Sequence, residues 1–327
     1  MIISRTPLRM SFVGGGSDLP VFYRKFGGAV VSTAIDQYVY ITVNKKFDDN
    51  IRVSYSKTEE AVSVDRIQHP LVRESMKLAG LKGGVEITSV ADISARGSGL
   101  GSSSSFSVGL LHALHAHAGR HAGAEQLARE ACEIEIDRCG EPIGRQDQYA
   151  AAFGGLNFIR FNPDDSVVVE PIICQRETLR VLQEHLVIFY TGITRSASAI
   201  LQHQQAALAS ERKKQNVTRK MVALAGDLRR ELQANRVASF GEIVHEGWVL
   251  KKSLTKGIST NLIDGWYDRA RRAGAAGGKL LGAGTGGFLM FYAPPDRHEE
   301  IARALGELRR MTFRFEPAGS RIIFVHH

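Results

Sequence analysis

Cysteine, proline and long apolar runs are all scarce in this chain of 327 residues. The three cysteines, Cys132, Cys139 and Cys174, show no Cys-x-x-Cys spacing, which excludes a disulfide scaffold and a cysteine-rich zinc module. They read as reduced thiols, the usage expected of a cytoplasmic protein. No stretch approaches the ~18 apolar residues of a membrane-crossing helix. The opening Met-Ile-Ile-Ser-Arg-Thr-Pro-Leu-Arg contains no apolar core of a secretion signal. The longest segment without a charged side chain, 97–119, is rich in Ser, Gly and His instead.

Charge is present with a modest excess of one sign. Lys plus Arg number 42 against 34 Asp plus Glu, a formal net charge of +8. The densest basic group, Arg212, Lys213, Lys214, Arg219 and Lys220, has no interleaved aromatics and matches no nucleic-acid motif. It reads as a solvated helix face, so neither nucleic acid nor membrane is expected as a partner. A mild positive field suits small anionic substrates.

What the chain has in excess is glycine, 33 residues against nine prolines. The glycines cluster at 14–16, at 97, 99 and 101, and between 274 and 287. Glycine permits positive φ and close approach of a ligand to the backbone. Three such clusters suggest a bound polyanion.

Length alone suggests about two domains. The first ninety residues read mainly as strands, with 30–43 the clearest and shorter ones at 51–55 and 85–88. Phe106, Leu110 and Leu114 mark a helix over 103–118, followed by helices at 124–138 and 146–153. Strands return at 156–161, 166–170 and 186–190. Residues 196–273 read as helical, broken near Asn216, Asn235 and Ser259. The end alternates again, with strands at 278–281, 288–292 and 321–325 around a helix at 297–309. The pattern is α+β, with two domains meeting near residues 170–190.

Four segments carry chemical signals. Residues 96–106, Arg-Gly-Ser-Gly-Leu-Gly-Ser-Ser-Ser-Ser-Phe, lead from a strand into a helix N-terminus, where free N–H groups and the macrodipole favour an anion. The Walker A pattern is absent. Asp147 falls in the first turn of a short helix, where the dipole alone would favour it by ~0.3–1 kcal/mol. Glu135 shares a helical stripe with Ala128, Ala131, Cys132 and Cys139, a costly place for a carboxylate unless it is paired or binds a metal. Asp18 follows the triple-glycine turn and can cap the helix after it. The histidines His112, His115, His117 and His121 lack the four-ligand set of a zinc site and read as packing or surface residues.

Taken together, Pro7-x-Arg9, Gly14-Gly-Gly-Ser-Asp18, Gly99-Leu-Gly-Ser-Ser-Ser104, Gly144-x-Gln-Asp-Gln148 and the run from Lys279 to Gly287 resemble the GHMP small-molecule kinases over essentially the whole chain. Within that family the opening RTPLRMSFVGGGSDLP, the stretch EPIGRQDQYAAAFGGLNF and FYTGITRSAS are most similar to the bacterial D-glycero-D-manno-heptose 7-phosphate kinases. Galactokinases carry Gly-Glu-His-Thr-Asp where this chain has Gly14 to Asp18, which argues against galactose.

The resemblance implies a β-rich, ribosomal-protein-like domain over residues 1–180 and a ferredoxin-like domain over 181–327. It implies ATP and Mg²⁺ as cofactors, and transfer of the γ-phosphate to the anomeric hydroxyl of a heptose 7-phosphate, feeding nucleotide-heptose and surface polysaccharide synthesis. Another sugar such as fucose or unphosphorylated heptose, or a non-catalytic relative, are the alternatives; a homo-oligomer is compatible with each. Arg96, Gly97, Ser98, Gly99, Leu100, Gly101, Ser102, Ser103 and Ser104 would bind ATP, and Ser103 and Glu135 the metal. Asp147 would be the catalytic aspartate, with Arg9 beside it to stabilise charge on the phosphoryl group. Gly15, Gly16, Ser17, Asp18 and Gly284 would face the sugar, with the 282–287 loop closing the site. Arg195 is the first candidate for the distal phosphate and Lys279 the second.

Overall fold

The computed structural model describes residues 1–93, 97–194 and 198–326. Strand β1 (Ile2–Val13) runs into the triple-glycine turn and helix α1 (Pro20–Phe26), and β2 (Gly28–Lys45) returns antiparallel to β1. Strands β3 (Ile51–Ser54) and β4 (Thr58–Ala61), helix α2 (Pro70–Ala79) and β5 (Val85–Ala91) follow. Helices α3 (Ser102–His117), α4 (Ala124–Cys132) and α5 (Gln146–Phe153) precede β6 (Leu156–Phe161) and β7 (Val167–Pro171). Helix α6 (Arg176–Glu184) leads to β8 (Leu186–Tyr190). Four helices come next: α7 (Ser198–Ser210), α8 (Arg212–Gln233), α9 (Phe240–Lys252) and α10 (Asn261–Arg272). The chain finishes with β9 (Gly277–Leu280), β10 (Phe288–Tyr292), α11 (His298–Ala304), β11 (Arg309–Met311) and β12 (Arg321–Val325).

Two sheets organise these elements. The larger has eight strands in the order β12-β1-β2-β5-β3-β4, with β6 on β2 and β7 on β6. Strand β2 is shared: residues 28–33 pair with β6 and residues 39–45 with β5. Its first half is buried on both faces, while its second half alternates, as a strand with one solvated face should. The smaller sheet runs β11-β8-β10-β9, antiparallel throughout, the strand order of a ferredoxin-like unit.

Helix α3 lies across β1 and β2, and Gly109 is what lets it approach so closely. A Cβ there would meet Thr6 Oγ1 at 2.7 Å, and the Ser4 hydroxyl donates to the Gly109 carbonyl at 2.7 Å. Phe106, Leu110 and Leu114 all face the core, as their spacing predicts.

The expected boundary between residues 180 and 181 falls inside α6, and β12 returns to pair with β1. One continuous core joins Leu8 and Ile41 of the larger sheet to Ile188 and Met290 of the smaller. Phe12 of β1 meets Phe240 of α9 edge-on with centroids 5.1 Å apart.

Three helix limits differ from the periodic reading. The break expected near Asn216 lies at Glu211, because Met221, Leu224, Leu228 and Leu232 hold α8 together as one buried stripe. The helix expected over 297–309 ends at Ala304, before β11 begins. The helix expected through Arg138 changes at Glu133 to a π-helical turn, Glu133–Arg138. The basic group on α8 is largely exposed, with Arg219 stacked over Phe26 at 4.5 Å.

Gly109→Ala is expected to cost ~1–3 kcal/mol through overpacking against Thr6, outweighing the helix-propensity gain. The urea midpoint measures this, and an unchanged midpoint would show that α3 is free to lift from β1.

Candidate active site

The two later glycine runs interlock backbone to backbone. Gly97, Gly99 and Gly101 adopt φ of 69°, 76° and 76°, a region costly for other residues. A Cβ on Gly99 would lie 2.5 Å from the Leu281 carbonyl oxygen, and one on Gly282 only 2.4 Å from the Gly99 Cα. The 282–287 loop therefore rests directly on the loop that opens α3. Together with the Gly15–Gly16 turn they border a cleft of about 710 Å³.

One wall of the cleft is the start of α3. Its first-turn N–H groups have no intrahelical acceptors, and Ser102, Ser103 and Ser104 line the cavity beside them. That is the geometry of an anion cradle.

Behind this turn lies Glu135, 1% exposed. Its carboxylate accepts from Ser103 Oγ at 2.9 Å, Ser104 Oγ at 2.8 Å and Gln148 Nε2 at 2.5 Å. Burial raises its pKa and the Asp147 charge adds to that, while the three donors pull it down. The π-helical turn swings this residue out of register with α4, a distortion often found at functional sites. No cation pairs with Glu135 among the described residues, so Ser103 and Glu135 offer oxygen donors to a divalent ion. No group of three or more His, Cys, Asp or Glu there could hold a metal alone. Mg²⁺ does not need one, since it binds through one or two carboxylates plus phosphate oxygens.

The centre of the cleft is an ion pair. Arg9 donates from Nε to Asp147 Oδ1 at 2.7 Å and from Nη2 to Oδ2 at 2.6 Å, a bidentate fork. Its Nη1 donates to the Gly99 carbonyl at 2.7 Å, and its backbone N–H to the Leu100 carbonyl at 3.0 Å. The guanidinium is thus the link between β1, the glycine loop and α5. Its charge is balanced by Asp147, so its expected service to a phosphoryl group is already largely committed.

Asp18 is 3% exposed. Its Oδ1 accepts from the Gly16 N–H at 2.8 Å and its Oδ2 from the Gln146 N–H at 3.3 Å. It therefore sits at the start of α5 rather than capping α1, whose N-cap is Leu19. Burial raises its pKa, and the neighbouring Asp147 charge raises it further.

Two lysines from the C-terminal half complete the wall. Lys251 of α9 donates to the Gly282 carbonyl, and Lys279 of β9 donates to the Ser11 and Phe12 carbonyls at 2.8 and 3.0 Å. Sequence reasoning missed Lys251. Its signal was its place on the stripe Phe240, Val244, Gly247 and Trp248, all buried on α9.

The structure brings Arg9, Gly15, Gly16, Asp18, Gly97, Ser98, Gly99, Gly101, the serines 102–104 and Asp147 to one cleft. Three expected residues are turned elsewhere. Ser17 is stapled to Ala29, accepting from its N–H at 3.0 Å and donating to its carbonyl at 3.1 Å. The Leu100 side chain is buried in the apolar core. Gly284 packs on Ile258, leaving Gly282 and Ala283 at the cleft. Arg96 and Arg195 lie outside the described residues. Of the histidines, His115 pairs with Glu130 at 2.6 Å and His112 contacts Ser320 Oγ at 3.0 Å.

Comparison with known proteins follows the same lines. Residues 67–155 match the model of the GHMP kinases N terminal domain, and residues 228–309 that of the GHMP kinases C terminal domain. The chain is 30% identical to a D-glycero-alpha-D-manno-heptose 7-phosphate kinase of Campylobacter jejuni, with 93% of each chain covered. It is 25% identical to a galactokinase of Pyrococcus furiosus, over 93% of this chain and 92% of the relative. The crystal structure of a D-glycero-D-manno-heptose 1-phosphate kinase from Bacteroides thetaiotaomicron superposes with a TM-score of 0.81 at 29% identity, covering 100% of both chains. With both family models matched and a relative 30% identical covering 93% of its length, the chain belongs to the GHMP kinases.

Proposed function

We propose that this protein is an ATP- and Mg²⁺-dependent sugar kinase that phosphorylates the anomeric hydroxyl of D-glycero-D-manno-heptose 7-phosphate. The observation that carries the kinase reading is the Arg9–Asp147 fork, set 2.7 Å from the Gly99 carbonyl at the mouth of the α3 cradle. The choice of sugar is supported by the full-length likeness to the Campylobacter enzyme. A kinase that works on a hydroxyl needs an anion cradle, a metal position and a carboxylate facing the acceptor, and phosphoryl transfer asks for little else.

In this reading the α3 N–H groups and Ser102–Ser104 hold the nucleotide phosphates. Ser103 and Glu135 would hold Mg²⁺, which when bound would supply neutralisation of the phosphate charge. Asp147, with both oxygens fixed by Arg9 and 26% of its side chain exposed, meets the sugar hydroxyl and orients it or takes its proton. Asp18, held over the start of α5, accepts from a second sugar hydroxyl. The domains would follow the family division, an N-terminal half carrying the cradle and a C-terminal half carrying the closing loop. Arg195 would bind the distal phosphate bidentately.

The direct test is coupled ADP release with Mg·ATP on heptose 7-phosphate, mannose, galactose, fucose and mevalonate, with the product position read by phosphorus NMR. A new C1 phosphate on heptose 7-phosphate is the expected result, and turnover confined to an unphosphorylated sugar would overturn the substrate. Asp147→Asn should lower kcat by ~10²–10⁴ if a proton moves in the transition state; a loss under tenfold in a folded variant would leave Asp147 as an orienting group only. Glu135→Gln should raise the Mg²⁺ needed for half-maximal rate by roughly 10–100-fold. An unaltered Mg²⁺ dependence would remove Glu135 from the metal. Arg195→Ala should raise KM for heptose 7-phosphate while sparing free heptose, and equal effects on both would exclude phosphate recognition there.

A further inference from the structure

The cleft is lined by three cations, Arg9, Lys251 and Lys279, and by the carboxylates of Asp18, Glu141 and Asp147, yet among the described residues only one of the three cations is paired with a carboxylate. Arg9 is neutralised by Asp147. Lys251 and Lys279, 7% and 5% exposed, both line the cleft, and among the described residues neither forms an ion pair with a carboxylate. The contrast with the next residue is direct: Lys252 turns outward and pairs with Asp264 at 2.8 Å. Burying an ammonium group without a counter-ion is costly, because carbonyl contacts replace only part of its lost hydration. A buried, unpaired cation that faces a cavity implies an anion that occupies the cavity.

Position selects between the two lysines. Lys279 spends two of its three donors on the Ser11 and Phe12 carbonyls of β1. Lys251 spends one, on the Gly282 carbonyl, and Gly282 is the residue packed on Gly99 of the phosphate cradle. Its ammonium lies within electrostatic range of Arg9 on β1, Asp18 at the glycine turn and Asp147 on α5, and it repels Lys279 on β9. It lines the same cleft as the cradle and Asp147, with donors to spare.

We propose that Lys251 is the residue that grips the phosphoryl group in flight, reaching from the C-terminal half to the γ-phosphate of the nucleotide. Three non-bridging oxygens carry the transferred charge, and a fixed ammonium in a water-poor site stabilises it without reorganisation. Lys279 stays tied to β1 through its two carbonyl contacts. Burial, together with Lys251 and Arg9, drives Lys279 well below an ordinary lysine, which adds to the geometric reasons for choosing Lys251. The sugar's own phosphate is the competing anion, and the test separates the two.

The inference rests on the cleft being a nucleotide site, although not on the identity of the sugar. The experiment therefore begins without sugar: calorimetric titration of Mg·AMP-PNP and of Mg·ADP into the wild type and into Lys251→Met. The wild type should prefer the triphosphate analogue, and Lys251→Met should lose at least tenfold of that preference. A preference unchanged in the folded variant overturns the role of Lys251. Failure of the wild type to bind either nucleotide overturns the kinase reading with it. Should Lys251→Met not fold, the wild type supplies the readout. Burial and Arg9 lower Lys251 to about 8, with Asp18 and Asp147 opposing. The preference should therefore be full below that pH and fall as Lys251 loses its proton above it; a preference constant to pH 9.5 overturns the proposal. In turnover, Lys251→Met should reduce kcat by ~10²–10³ with KM for the sugar nearly unchanged. A raised KM for the sugar phosphate with the triphosphate preference intact would assign Lys251 to the sugar's phosphate and overturn the proposal.

Discussion

The contact on which the site depends is one between two backbones. Gly99 and Gly282 meet so closely that neither can carry a side chain, and the Gly282 carbonyl in turn receives Lys251. The cradle at the start of α3 belongs to the eight-stranded sheet and its covering helices, whereas Gly282 follows β9 of the smaller sheet. The glycine contact fixes the distance between the two, and everything that faces the cleft inherits that distance. Polar side chains could not replace it, because each would hold the loops further apart.

Around that contact the charges form a sparse set. Arg9 is pinned to β1, hydrogen-bonded to the Gly99 carbonyl and forked to Asp147. Glu135 and Asp18 are both buried, and both are pushed towards the neutral form by burial and by Asp147. Lys251 and Lys279 are pushed the same way by burial and by Arg9. These two carboxylates and two lysines are each held in an environment that disfavours the charged form. In the proposed reading a nucleotide and its metal would supply the missing counter-charges, a cation beside Glu135 and phosphate beside the lysines. These buried charges carry an electrostatic cost that such binding would relieve, which would make binding and charge compensation one event.

Much of this was legible from sequence for identifiable reasons. A glycine required at positive φ is visible as a glycine, and three clusters of them pointed to a polyanion. The α3 stripe of Phe106, Leu110 and Leu114 followed from period alone. Where the reading went astray, a non-local contact intervened. The cap on α1 that the place of Asp18 in the sequence allows is not made, because the chain brings the start of α5 against it. Ser17, flanked by residues that line the cleft, turns instead to Ala29. The helix through Glu135 keeps going but changes pitch, because three donors from α3 and α5 hold its carboxylate in place.

The sequence by itself determined where the backbone must be free of side chains, which segments take helical or extended periods, and which family the motifs resemble. These are properties of residue type and spacing along one dimension. Tertiary structure decided which charges meet. The Arg9–Asp147 pair spans 138 residues and the Lys279 contact with Ser11 spans 268. Lys251 differs from Lys252 by a single position, yet one faces the cleft and the other pairs with Asp264 at 2.8 Å. Whether a charge is solvated, paired or left waiting for a ligand depends on what the rest of the chain places around it, and no local pattern encodes that.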